Sequence, residues 1–435
     1  MNIYAWIGML GIIFFTLLPL LNKQNRTREE VQKAIVTVGI VIGIIIAVLV
    51  FDVNYLVALL FGFLAIILLD RKTYTKNWLI IYGAITLMLG IAAFSLFRDN
   101  PDYVIKHLKE NPETSSFYLA ENGEPVVTYQ STIRRPLAST VKILIAIEYA
   151  MQVEENIIQR DSKVSLDELN RFYVKNTDGG AHKAWLDELK QVGGIENNEV
   201  SLHDVAKGMI TYSSNANTEY LIHLLGIDAI NKRKLALGLA QHEDVYPIVS
   251  ALFIPEFIKK DGMSEKELIN ALNDMSMEQY RTLAKSLSLK MQTGEIDASK
   301  TTFDRSPAVQ RVWSNRLIGA SANDYGKLLA LISNDELPSV AAETMRDVME
   351  WPMQLNKDNH KRYAHIGAKG GSTLFVLNDA MYAENLKGDQ YEIVLLFDDL
   401  NFIERLLLNK NWNSFESKLL SSAEYRDKVH DELMK

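Results

Sequence analysis

The sequence predicts an α+β domain, one sheet dressed with helices, preceded by an α-helical membrane region of about four spans. Three observations lead there. Long apolar runs crowd into the first hundred residues. After about residue 113, β-rich runs stand at the two ends of the remainder. Between them the apolar residues repeat at helical spacing.

The membrane region comes first. Residues 3–21, 34–51, 54–70 and 77–97 are apolar, each close to the ~20 residues a helix needs to cross hydrocarbon. A cleaved leader explains one such stretch but not four. The links orient them. NKQNRTREEVQK (22–33) holds Lys23, Arg26, Arg28 and Lys33, and RKTYTK (71–76) holds Arg71, Lys72 and Lys76, whereas DVN (52–54) has no basic residue. Basic loops stay cytoplasmic, so the remainder is expected outside a bacterial cytoplasmic membrane, with the bilayer as partner and the spans as a plain anchor. That remainder carries 39 basic and 50 acidic residues, which excludes electrostatic attraction to nucleic acid. With no cysteine in the chain, disulfides and thiolate metal sites are excluded too.

The domain is expected over 113–435. SSFYLAENGEPVVTYQ (115–130) is two β-rich runs around Asn122-Gly123, a hairpin signal. In RRPLASTVKILIAIEYA (134–150), Pro136 bars helix just before it, Ser139 or Thr140 is placed to cap, and the run from Val141 is apolar nearly all round. SANDYGKLLALISN (321–334) and PSVAAETMRDVMEWP (338–352) read as two helices. AHIGAKGGSTLFVLNDAMYAE (364–384) and QYEIVLLFDDL (390–400) read as strands, and 412–432 as helix.

Three places carry chemistry. Ser139 and Lys142 stand three apart at a helix start. There they are either a nucleophile with its base, or a cap with a lysine reaching for solvent. Ser213-Ser214-Asn215 interrupts two apolar helical runs and displays a hydroxyl beside an amide. Lys369-Gly370-Gly371-Ser372 puts two glycines in a strand. That marks a bulge or a close approach to the backbone, with a ligand laid along it as the functional form. A lysine there supplies charge for a carboxylate and lowers the pKa of Lys142. The eight histidines are scattered without metal-ligand spacing, so neither metal nor cofactor is expected. His365 is expected to be packed in its strand.

Taken in order, Ser139-Thr140-Val141-Lys142, Ser213-Ser214-Asn215 and Lys369-Gly370-Gly371 resemble the three motifs of the penicillin-recognising serine enzymes, closest to the class A β-lactamases. The resemblance covers about 113–435 and implies a β-lactamase/transpeptidase-like domain. It implies Ser139 as the acylated nucleophile, Lys142 as base and Ser213 as proton shuttle. It further implies Asn215, Lys369, Gly371 and Ser372 as substrate-binding residues. The oxyanion hole would be the N–H groups of Ser139 and Ser372, and Ser372 or Thr373 would offer a hydroxyl to the carboxylate. Ser214 departs from the usual Asp, and Gly370 from the usual Thr or Ser. The Glu-x-x-Leu-Asn pattern of the deacylating glutamate is missing between 216 and 300. Glu243 is the candidate deacylation base, and Glu256 a weaker one. RFYVKNTDGGAHKAWL (171–186) reads as an insertion at the site rim. The implied activity is a membrane-anchored serine hydrolase opening a β-lactam amide through a Ser139 acyl-enzyme. A D-Ala-D-Ala peptidase, an esterase of envelope polymers and a non-catalytic β-lactam sensor are the alternatives.

Overall fold

The computed structural model describes residues 99–175, 177–300 and 306–435. Every element below belongs to the unit Asn100–Lys435. Helix α1 (Asp102–Glu110) precedes a hairpin, β1 (Ser115–Glu121) and β2 (Glu124–Tyr129). Its turn holds Asn122 at φ 52° and Gly123 at φ 82°. Both left-handed conformations are what a two-residue turn matching strand twist demands. Three strands come from the far end of the chain: β7 (Tyr363–Ser372), β8 (Leu377–Asn385) and β9 (Gln390–Phe397). The short pairs β3 (Arg134–Pro136) with β6 (Gly319–Ser321), and β4 (Lys163–Ser165) with β5 (Glu199–Ser201), stand apart from the main sheet.

The main sheet is antiparallel in the order β2-β1-β9-β8-β7. It is joined from the two ends of the chain, because β1 lies against β9 with Phe117 opposite Leu395. Period-two alternation splits its side chains between two cores. Phe117, Leu119, Met381 and Leu395 face α1 and the terminal helices α12 (Phe402–Ser421) and α13 (Ala423–Met434). Tyr118, Ala380, Tyr382 and Val394 face the larger helical body. That body includes α2 (Lys142–Glu154), α4 (Leu202–Thr211), α5 (Asn215–Leu225), α9 (Ala322–Ser333) and α10 (Ser339–Met349). It also includes α3 (Ala181–Val192), α6 (Ile227–Ala236), the short α7 (Ile248–Ala251) and α8 (Met277–Gln292). A short helix α11 (Trp351–Leu355) leads into β7.

Four differences from expectation have physical reasons. Ser139 and Thr140 cap nothing. Ala138 takes φ 47°, so Ala138–Val141 winds as a 3₁₀ turn and α2 starts only at Lys142 without a side-chain cap. The domain core starts before 113, because Val104 and Leu108 of α1 are fully buried in it. The C-terminal helix starts at 402, ten residues early, behind an Asn401/Glu404 capping box. The membrane region in the expected fold class is corrected. Its four stretches lie outside the described residues, and among those described no helix is long and apolar enough to cross a membrane. Even the 20-residue α12 is broken by Glu404, Arg405, Glu416 and Lys418.

Candidate active site

The 3₁₀ turn before α2 carries Ser139 and is seated against β7. A Cβ on Gly371 would lie 2.5 Å from the Leu137 carbonyl oxygen and 2.8 Å from the Thr140 nitrogen. Only glycine permits that approach. The register of β7 on β8 runs unbroken from His365 to Ser372, and the irregularity falls at Tyr363/His365. The paired glycines therefore mark no bulge. What comes close to Gly371 is the turn bearing the serine. Gly370 is different, since a Cβ there would make only ordinary contacts at 3.5 Å.

Lys142, first in α2, is 1% exposed. Its Nζ lies 2.7 Å from the Ser213 carbonyl oxygen, 3.1 Å from Ser213 Oγ and 3.1 Å from Asn215 Oδ1. Lys369 reaches the same hydroxyl from β7, with Nζ 3.1 Å from Ser213 Oγ and 2.7 Å from the Gly370 carbonyl oxygen. Ser213 links α4 to α5 at φ 66°, a left-handed conformation that costs a non-glycine residue about 1–3 kcal/mol. It points the hydroxyl between the two amines. Burial pushes the Lys142 pKa well below that of a free lysine, and the Lys369 charge adds to it against the pull of Asp178. Burial lowers Lys369 to about 8, opposed by Asp379. A buried amine with a depressed pKa holds a lone pair that accepts a proton.

These residues line one cavity of about 700 Å³. Ser139, Lys142, Ser213, Asn215, Lys369, Gly371 and Ser372 all face it. The 171–186 segment supplies Thr177, Asp178 and Gly179 to its wall. The Asn215 amide nitrogen donates to the Thr177 carbonyl at 3.4 Å. Asp178 accepts from the Gly180 and His182 N–H groups at the start of α3, at 3.1 and 3.0 Å. Ser214 lies away from the cavity and caps α5. Its Oγ is 2.9 Å from His182 Nδ1, so the inserted segment is pinned through the position where the resemblance leads one to expect an aspartate.

Four other residues stand elsewhere. Glu243 does not line the cavity. Its carboxylate takes the Gly319 N–H at 3.1 Å and pairs with Arg134 at 3.4 Å and Arg281 at 3.5 Å, bracing the β3–β6 pair. Glu256 sits half-buried on the short helix 254–258, also off the cavity. Ile248 and Leu252 form that part of the wall. Thr373 Oγ1 accepts the Phe375 and Val376 N–H groups at 3.1 Å and shapes the β7–β8 turn. Of the two expected hydroxyls, only that of Ser372 lines the cavity. His365 is tied to Glu350 at 2.9 Å.

The back of the cavity was not foreseen. Asp379 of β8 lines it together with Asn409, Trp412, Asn413 and Glu416 of α12 and Trp351 of α11. A signal existed, because 409, 412, 413 and 416 are spaced to share one helix face. That makes a polar stripe on a helix whose neighbours are buried.

A family model described as "Beta-lactamase enzyme family" matches residues 102–411. No curated protein matches the sequence. Among solved structures, a class A β-lactamase from Bacteroides cellulosilyticus is 16% identical over 77% of this chain and 99% of that one, at a TM-score of 0.43. A β-lactamase from Chitinophaga pinensis is 14% identical over 73% and 99%, at 0.44. An acyl-enzyme complex of PBP-A with penicillin G is 16% identical over 73% and 95%, at 0.43.

Proposed function

The chain belongs to the β-lactamase enzyme family, and on that premise we propose that it is a serine hydrolase attacking a β-lactam amide through Ser139. The observation that carries this is the Ser213 hydroxyl held 3.1 Å from the amines of both Lys142 and Lys369, in the cavity that Ser139 faces. In the reaction, Ser139 Oγ bonds to the lactam carbonyl carbon while its proton passes to neutral Lys142. Charge gathering on the carbonyl oxygen is met by the N–H groups of Ser139 and Ser372. The C–N bond breaks, and the ring nitrogen takes a proton through Ser213, which Lys142 resupplies. Asn215 offers its amide to the substrate's side chain, and Lys369 its charge to the carboxylate.

One observation favours a second reading, in which the acyl-enzyme persists as in a penicillin-binding peptidase. Glu243 braces two strands instead of facing the cavity, and apolar Ile248 and Leu252 stand in the wall. Hydrolysis of the ester needs a base to activate water, and the Ile248/Leu252 part of the wall offers none.

Intact-mass time courses of the full chain with penicillin G, beside Ser139→Ala, test both. A 1:1 adduct on the native chain and none on the variant is the expected result. Loss of the adduct with hydrolysed drug accumulating identifies a β-lactamase. A lasting adduct identifies the peptidase or a sensor. No adduct overturns β-lactam recognition and leaves the esterase.

A further inference from the structure

The nucleophile occupies only one side of its cavity. β7 is the outermost strand of the sheet, and the cavity wraps round its free edge. Lys369 and Gly371 face the nucleophile, whereas Ala368 and Gly370 face the terminal helices. Gly370 has no side chain to close the passage. Opposite it in the ladder is Asp379, whose Oδ1 lies 3.5 Å from where a Cβ of residue 370 would stand.

Beyond Gly370 the lining changes character. Asp379 is 6% exposed and Glu416 8%, and the two carboxyls are within hydrogen-bonding reach of one another. The Trp412 indole also bonds to Glu416. Yet Glu416 Oε1 is buried without any hydrogen-bond partner. Trp351 stands at the strand edge, its indole N–H donating to the Ala368 carbonyl at 2.8 Å. Asn409 and Asn413 complete the wall. Two adjacent carboxyls with one oxygen unpaired are costly to bury. Burial pushes both above the ordinary carboxylic range, Asp379 to about 6 and Glu416 further. The Lys369 charge pulls Asp379 back down, whereas among the described residues no cation stands against Glu416 to offset its burial.

We infer that the back of the cavity is a subsite for a protonated primary amine, carried on the substrate whose acyl group reaches Ser139. An ammonium has three donors, and two carboxyls and two carboxamides stand ready to accept them. The two indoles in the lining favour an organic cation over a hydrated metal ion. Among the described residues no group of three His, Cys, Asp or Glu side chains is placed to hold a metal. The inference rests on Ser139 as nucleophile for the identity of the substrate, but not for the binding of the amine.

The two are tested separately on the full chain. Hexylamine and hexanol are titrated while the indole N–H signals of Trp351 and Trp412 are followed by NMR. The amine is expected to bind at least tenfold tighter than the alcohol. Glu416→Gln removes that preference. So does Gly370→Val, which crowds the passage beside Asp379 but leaves both carboxyls in the chain, and keeps the test open if the first variant does not fold. Equal binding of amine and alcohol overturns the subsite, as does a preference that survives both variants. Displacement of the amine by Mg²⁺ or Ca²⁺ at lower concentration overturns it in favour of a metal. Acylation is then compared for a penicillin with an aminoalkyl side chain and its N-acetylated twin. The amine form is expected to acylate at least tenfold faster in the native chain and equally in Glu416→Gln. Equal rates in the native chain overturn the link to the substrate. If neither acylates while hexylamine still binds, it is the Ser139 reading that fails.

Discussion

At Ser213 one hydroxyl is shared by two amines that cannot both be charged without penalty. Each amine lies 3.1 Å from that oxygen, so the two are at most ~6 Å apart, and at an effective dielectric constant near 20 like charges at that distance repel by about 3 kcal/mol. The proton leaves Lys142, which is the more deeply perturbed of the two. That division sets a pH profile. As pH rises, Lys142 becomes neutral and acylation by a carboxylate-bearing β-lactam increases. Near pH 8, Lys369 loses its own proton, its charge no longer holds the carboxylate, and the rate falls. Pre-steady-state acylation from pH 5 to 10 is expected to give a bell with its falling limb near 8. In Lys369→Arg the limb is expected to move up by at least one pH unit, because guanidinium does not titrate there. An unmoved limb would assign it to another group.

At the scale of elements, what matters is how closely the strand β7 approaches the 3₁₀ turn of Ser139. The glycine-for-contact logic was legible in the sequence as a close approach, but the thing approaching was not. A strand carries no mark of which turn it will meet. Gly371→Ala is expected to drive Cβ into the Leu137 carbonyl, shift the turn, and destabilise the protein by about 1–3 kcal/mol. Denaturant midpoints read the loss, and acylation is expected to fall more than tenfold. Gly370→Ala meets only ordinary contacts and is the control. Local signals elsewhere were readable because they are local: the Asn122-Gly123 turn, the polar break at 213–215, the helix pairs after 321. The pinning of Ser214 by His182, the strand-bracing of Glu243 and the polar stripe of α12 are tertiary. No spacing in the sequence announces the first two, and the spacing of 409, 412, 413 and 416 marks a shared helix face without saying what it lines. Glu243 is kept from the cavity because its carboxylate is held by Gly319 and Arg134 on the β3–β6 pair.

For the whole molecule, acid is the stress to watch. His242 is 4% exposed, with Nδ1 on the Glu243 carbonyl oxygen at 2.6 Å and Nε2 3.3 Å from the Tyr325 hydroxyl. Burial lowers its pKa to about 4, below the unfolded value near 6.5. Between those values the unfolded chain binds a proton that the folded chain refuses, so stability falls as pH drops from 6.5 towards 4. Over that window the native protein is expected to lose about 3 kcal/mol more than His242→Gln. Urea unfolding of both at pH 7, 5.5 and 4 measures it, and parallel losses would acquit His242. The overall architecture was legible because strands at both ends with helices between admit few sheets. The membrane spans read into the first hundred residues belong to no described element.

The closure of the sheet by the two chain ends also fixes the order of events during synthesis. β1 emerges from the ribosome more than 250 residues ahead of its partner β9 and must wait without it. Contacts so distant along the chain slow folding and leave a strand edge open meanwhile. Ser139 and Lys142 are translated early, yet Lys369 arrives only with the last strands. A nascent or truncated chain therefore carries its nucleophile long before it carries the means to use it.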